Sequence, residues 1–199
     1  MAQLFATSDQ HFGHFNIIKY CQRPFKTIEQ MNETIIKNHN ERIKKDDTCL
    51  IVGDFCFKNS PNGKEGEGVP VHSKNYIERL NGNLVFCRGN HDRGNSVNTK
   101  IERLVLKVGG IYINVCHNPQ DAIIEDTHYY SLNLVGHVHT SWKTKEITKN
   151  GKFSLMINVG VDLNSFRPYN FDELKAIYDQ WYTKHPSRKS INKLIITKG

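Results

Sequence analysis

Six short apolar runs, at 4–6, 48–52, 84–87, 111–116, 132–135 and 153–159, set the frame of this chain. Runs of that length bounded by polar residues read as buried strands. Their alternation with helical patterns is the signature of an α/β protein. The clearest helix opens at Thr27, where T-x-x-Q with Gln30 makes a capping box. Ile28, Met31, Ile35 and Ile43 then fall on or near one face, and the pattern runs out around Lys44. A shorter helix fits 73–80, with Asn81 and Gly82 as its stop. A third begins near Asn170, where Glu173 completes a box. Leu174, Ile177, Tyr178 and Trp181 form its stripe, and Pro186 closes it.

The strands continue on both sides of the Gly-, Pro- and charge-rich stretch KNSPNGKEGEGVP at 58–70, which therefore reads as a mobile loop inside one domain spanning 1–199. The tail from 187 is basic and turns apolar at 194–196, as a last edge strand would. No apolar run approaches the ~20 residues that span a bilayer, which excludes an integral membrane protein. The first residues, MAQLFATSDQ, lack the basic and apolar regions of a signal peptide. Five cysteines, odd in number and without a C-x-x-C, read as reduced thiols of a cytoplasmic protein. An excess of 27 Lys+Arg over 20 Asp+Glu, +7 overall, suits phosphate groups or nucleic acid as partners and equally an ordinary lysine-rich surface.

The chemistry sits directly behind the apolar runs. The first ends in Ser8, Asp9, Gln10 and His11, the second in Gly53 and Asp54, and the third in Arg88, Gly89, Asn90, His91 and Asp92. The fourth ends in His117 and Asn118, the fifth in Gly136, His137, Val138 and His139. Ligands of open α/β sheets bind beyond the carboxyl ends of the strands, so five strands would deliver Asp, His and Asn to one rim. Six of the 10 histidines, His14 included, cluster this way. Imidazole and carboxylate without thiolate suit a first-row divalent metal such as Mn, Fe, Zn or Co, and suit calcium poorly. The ligands outnumber the three that one open tetrahedral metal takes. Two metals fit the count, and Asp54, alone after its strand with a glycine before it, is the candidate bridge.

D-x-H, G-D, G-N-H-D, a lone H and G-H-x-H, in that order from Asp9 to His139, resemble the blocks of the calcineurin-like metallophosphoesterase family. G-N-H-D joined to a downstream G-H-V-H is the specific part, and the opening S-D-Q-H-F-G-H-F-N-I looks like its small, cap-less bacterial and phage members. The resemblance implies a four-layer αββα sandwich, with two mixed β-sheets flanked by helices. It also implies two divalent metal ions, Mn in vitro, with Fe, Zn, Ni or Co as alternatives. Asp9, His11 and His139 would hold one metal, Asn90, His117 and His137 the other, and Asp54 both. A hydroxide between the metals would attack phosphorus. His91, off the metals and oriented by Asp92, would act as general acid. Asn90, Arg88, His14 and Arg167 are the candidates for substrate contact. For Arg88 the alternative is a strand-end salt bridge, and for His14 a capping role. Phe12, Phe15, Tyr129 and Tyr130 are either base-stacking or core residues.

The activity this points to is phosphodiester hydrolysis on nucleotide or nucleic-acid-derived substrates, with a phosphomonoesterase as the runner-up. A scaffold of the same fold is the alternative from another class, yet the sequence lacks none of the ligands such a protein would have lost. No membrane or obligate protein partner is evident. Other nucleotide enzymes are disfavoured, since there is no G-x-G-x-x-G, Walker loop or G-x-S-x-G elbow.

Overall fold

The computed structural model describes residues 1–57, 64–69, 71–92, 97–122, 130–149 and 152–184, without the side chains of 130, 131, 149 and 152. Strands β1 (Leu4–Thr7), β2 (Thr48–Val52) and β3 (Asn83–Cys87) pair in parallel, and the two-residue β9 (Tyr169–Asn170) runs antiparallel to β1. The sheet order is β3-β2-β1-β9. A second sheet contains β4 (Arg103–Val108), β5 (Ile111–Cys116), β6 (Tyr130–Val135), β7 (Thr144–Lys149) and β8 (Lys152–Asn158), in the order β4-β5-β6-β8-β7. Its centre, β5-β6-β8, is parallel, and β4 and β7 are antiparallel edges. Both sheets are mixed.

The sheets face each other across one core. Ala6, Leu50, Val52 and Cys87 from the first meet Ile113, Val115, Leu132, Leu134, Leu155 and Ile157 from the second. Period-two alternation sends Phe5, Cys49 and Ile51 to the opposite face of the first sheet. There they pack with Met31, Ile35 and Ile36 of α2 (Ile28–Arg42), Ile17 of α1 (Phe15–Tyr20) and Tyr76 of α3 (Ser73–Ile77). Helix α4 (Phe171–Thr183) seats Leu174 and Tyr178 in the inter-sheet core, against β1, β8 and β9. On the outer face of the second sheet, Trp142, Ile147 and Ala122 cover Cys116, Val135 and Met156. No described helix is long and apolar enough to cross a membrane.

The capping signals are used, with one refinement. Asn170 and Glu173 form the full box at α4, whereas Thr27 caps Gln30 N while the Gln30 amide reaches back one residue further, to Lys26 N. The six predicted strands are present, some a residue or two longer or shorter. The α3 helix is shorter than the predicted 73–80, and α4 ends before Pro186. Four elements lay outside the sequence reading: β4, β7, β9 and α1. Of the predicted mobile loop at 58–70, residues 64–69 lie against the start of α2, where Ile28 N donates to Gly66 O (2.9 Å) and Glu67 is buried. The rest of that stretch, and the predicted strand at 194–196, lie outside the described residues.

Candidate metal centre

All five polar blocks leave the carboxyl ends of their strands at one rim, and the turns that carry them are bound to one another. Ser8 N donates to Val159 O (3.1 Å) and Val161 N to Ser8 O (3.1 Å), joining the two sheets where β1 and β8 end. Asp9 N donates to Gly53 O, His11 N to Asp54 O and Gly136 N to His117 O. These contacts hold a tightly turned backbone. Asp9 (φ 58°), His11 (52°), Asp54 (52°), His137 (72°) and His139 (45°) all lie in the left-handed region. Non-glycine residues enter that region at a cost of about 1–3 kcal/mol each, and they persist where surrounding structure over-determines them.

The result is two clusters of donor atoms. Those of Asp9, His11 and His139 lie within 4.8 Å of one another, and so do those of Asp54, His117 and His137. Asp54 Oδ2 stands between the clusters, 3.6 Å from His11 Nε2 and 3.2 Å from His117 Nε2. Asn90 Oδ1 closes the second, 3.0 Å from His117 Nε2 and 2.9 Å from His137 Nδ1. Three of the rings are gripped from behind. His117 Nδ1 meets the carbonyl of Val52 (2.9 Å), His139 Nδ1 the carboxylate of Asp162 (3.0 Å), and His11 Nδ1 the ring of His14 (3.2 Å). That leaves each Nε2 turned into the site, the arrangement by which metal-ligating histidines are oriented.

No family model matches the chain. Over 185 residues it is 32% identical to the uncharacterized protein MJ1445 of Methanocaldococcus jannaschii, covering 90% of this chain and 93% of that one. Its fold matches a protein of unknown function, AQ665 from Aquifex aeolicus, with a TM-score of 0.61 at 20% identity over 89% of this chain and all of the other. YfcE, a phosphoesterase from E. coli, aligns over 78% of each chain at 16% identity with a TM-score of 0.43. At 32% identity over nearly the whole of both chains, this protein and MJ1445 belong to one family.

The donor set fits a pair of divalent metal ions. His11 Nε2 is buried and has no hydrogen-bond partner, a state that buried polar atoms rarely keep unless an ion or water completes them. The clusters also call for positive charge. Burial opposes a charged His117, but the hydrogen bond to Asp54 and the charges of Asp9 and Asp54 outweigh it and raise its pKa to about 9. Burial likewise opposes a charged His139, yet Asp162 and Asp9 help raise it to about 10. Asp54 is pushed up by burial and pulled down further by His117, His11 and the His91 amide, to about 2. A cation bound here would compete with protons for these ligands, so metal binding would release protons. Burial drives His11 well below its ordinary value and His14 down to about 4, as suits neutral imidazoles.

Around this centre some residues make contacts other than those expected. Asp92 accepts three backbone N–H groups, from Asp54 (3.0 Å), Phe55 (3.1 Å) and Gly89 (2.7 Å). A carboxylate only 3% exposed needs such donors, so its contacts show it holding the Asp54 turn rather than aiming the His91 ring. His91 N donates to Asp54 Oδ1 (2.9 Å), and its ring stands edge-on to His11 (5.4 Å) and Phe57 (5.6 Å). His14 is the residue before α1, but its side chain caps nothing. It is wedged between the His11 ring and Phe57, stacked on the latter at 4.2 Å, and it lines the same cleft as His91. Arg88 pairs with Glu102 beside the second cluster, the strand-end salt bridge. Arg167 is exposed on a turn and lines neither cleft at the centre. The chain does return to the rim after β8, but the side chain it delivers is Asp162. Phe12 is fully buried, Phe15 is half-buried in the core, and the side chains of Tyr129 and Tyr130 lie outside the described residues.

The sequence reading missed the support behind the first cluster. Arg23, 4% exposed, grips Asp162 through Nε (2.7 Å) and Nη2 (3.0 Å) and also donates to the carbonyls of Asp9 (2.7 Å) and Gln10 (3.0 Å). Asn158 donates to His139 O (2.8 Å) and accepts from Gly160 N. Cys21, half-buried, lies within 4.8 Å of His139 and Asp162. Nothing near Arg23 in sequence signals these partners. The glycines of the blocks did carry a signal: a Cβ on Gly89 would fall 2.1 Å from Asp54 Oδ1, and one on Gly53 (φ +82°) 2.5 Å from His117 Nδ1.

Proposed function

We propose that the protein is a metal-dependent phosphoesterase acting on phosphodiesters, and that Asp9, His11 and His139 hold one divalent cation, Asn90, His117 and His137 a second, with Asp54 shared. The carrying observation is the Asp54 carboxylate, one oxygen of which lies between imidazoles of both clusters. When bound, such a pair supplies Lewis-acid charge for phosphoryl oxygens and lowers the pKa of water from 15.7 toward about 7. The protein's part is to pre-organise that charge. Left-handed turns and buried hydrogen bonds keep the ligands in place, so little reorganisation remains for the reaction itself.

His91 supports a diester substrate. It stands outside both clusters, in the cleft that His11, His14 and Tyr20 line. Its imidazolium can protonate the ester oxygen as the alkoxide leaves, a step typically worth ~10²–10⁴ in rate. Poor alkoxide leaving groups benefit most.

Metal-stripped protein should be inert toward bis-p-nitrophenyl phosphate and regain turnover with manganese, while Asp54→Asn should bind less metal and stay inactive. Near-wild-type turnover by the variant would refute the shared ligand, and an inactive metal-loaded wild type would favour a scaffold.

A further inference from the structure

Two clefts of different character meet at the metal centre. One, of about 560 Å³, holds the His91 side of the site and is bordered by Tyr20, the last residue of α1. Tyr20 is 69% exposed, with its ring edge-on to His14 at 6.2 Å. A large aromatic so exposed beside a catalytic cleft contributes little to the core. The other cleft, of about 790 Å³, opens from Asn90 and His117 along the facing edges of the two sheets. Arg88 N donates to Ile101 O (2.7 Å), and the β4-β5 register sets Arg103 opposite Cys116, the neighbour of His117. Arg88, Lys100 and Arg103 therefore border this cleft, against the carboxylates of Glu102 and Asp121, and Glu102 is already paired with Arg88.

We propose that a single-stranded polynucleotide lies across the centre, the base of its leaving nucleoside stacked on Tyr20 and the phosphate on the retained side held by Lys100 and Arg103. The proposal rests on the phosphodiesterase reading, since His91 identifies the Tyr20 cleft as the leaving-group side. Each cleft is in the range of about 300–1,000 Å³ that takes a ligand of nucleotide size. An aromatic platform on one flank and cations on the other match what single strands present, a π-face at every base and a charge at every phosphate. A mononucleotide would leave the basic cleft empty.

The test measures binding by the manganese-loaded protein of two fluorescent, hydrolysis-resistant phosphorothioate decamers, one of thymidine and one abasic. Tyr20→Ala should weaken the thymidine probe by about 5- to 150-fold, the range of one lost base stack, and leave the abasic probe unchanged. Tyr20→Phe should restore binding. Lys100→Gln with Arg103→Gln should weaken both probes and lower the slope of log affinity against log salt by about 0.7, for the one phosphate the two side chains hold. Equal effects of Tyr20→Ala on the two probes, or an unchanged salt slope in the double variant, would overturn the proposal. Turnover of bis-p-nitrophenyl phosphate by the same wild-type preparation reports on the hydrolase reading alone, so the two ideas fail separately.

Discussion

Replacing Asp162 with asparagine separates what holds the first cluster together from what binds metal. The carboxylate is buried, its side chain 2% exposed, and it carries two loads: the Arg23 guanidinium, itself 0% exposed, and the Nδ1 of His139. Removing its charge strands a buried cation, and breaking a buried pair in this way costs about 3–5 kcal/mol. For a chain of this size each kcal/mol lowers Tm by about 2–4 °C, so a drop of roughly 6–20 °C is expected. The loss of the carboxylate behind His139 should separately weaken metal binding by about 10–100-fold. Calorimetric titration of manganese into metal-free protein and thermal unfolding of the same samples read the two effects. Asp162→Leu with Arg23→Met removes both charges of the pair. This double variant should recover much of the stability, because apolar residues often replace a buried pair without loss. Metal affinity should not recover. Manganese affinity within twofold of wild type in Asp162→Asn would refute the role assigned to this carboxylate.

Three further outcomes follow. His91→Ala should keep its full complement of metal while losing more rate on alkyl than on nitrophenyl esters, by up to the ~10²–10⁴ of a general acid; equal losses on both would exclude that role. Gly89→Ala should displace Asp54, which the new Cβ would meet at 2.1 Å, costing about 1–3 kcal/mol in urea titrations and lowering metal content. His39, buried with Nε2 against Asn81 O (2.9 Å), is held below its ordinary pKa by burial, which backbone bonding only partly offsets. The unfolded chain then takes up the proton first, so stability should fall as pH drops below about 6.5. In metal-free protein, His39→Gln should flatten that slope between pH 7.5 and 5.5, and an unchanged slope would count against the assignment.

Most of the strands that could be read from sequence are central ones, buried on both faces, while β3, an edge, shows through its apolar run and the helices through caps and one apolar stripe. β2 and β5 match their runs end to end, because a central strand, covered on both sides, is mostly apolar. The missed β4 and β7 are edges. RLVLKV and TKEITK each spare one face for solvent, and only a neighbouring strand makes them strands. β9 is two residues long, and α1, six residues with no side-chain cap, offers too little periodicity to be seen.

The sequence by itself determined which side chains of the five polar blocks meet at the rim. Ligand chemistry belongs to residue type, and each block follows directly on a strand whose carboxyl end the apolar pattern marks. Tertiary structure alone decided how they meet: which imidazole nitrogen faces inward, that Asp92 secures a backbone turn, and that His14 supports His11. It also decided that Arg23 reaches across 139 positions to Asp162. The physical reason is that a buried charge must find its partner in space. The order of residues says what can donate and accept, while the packing of the two sheets and their helices selects the pairs.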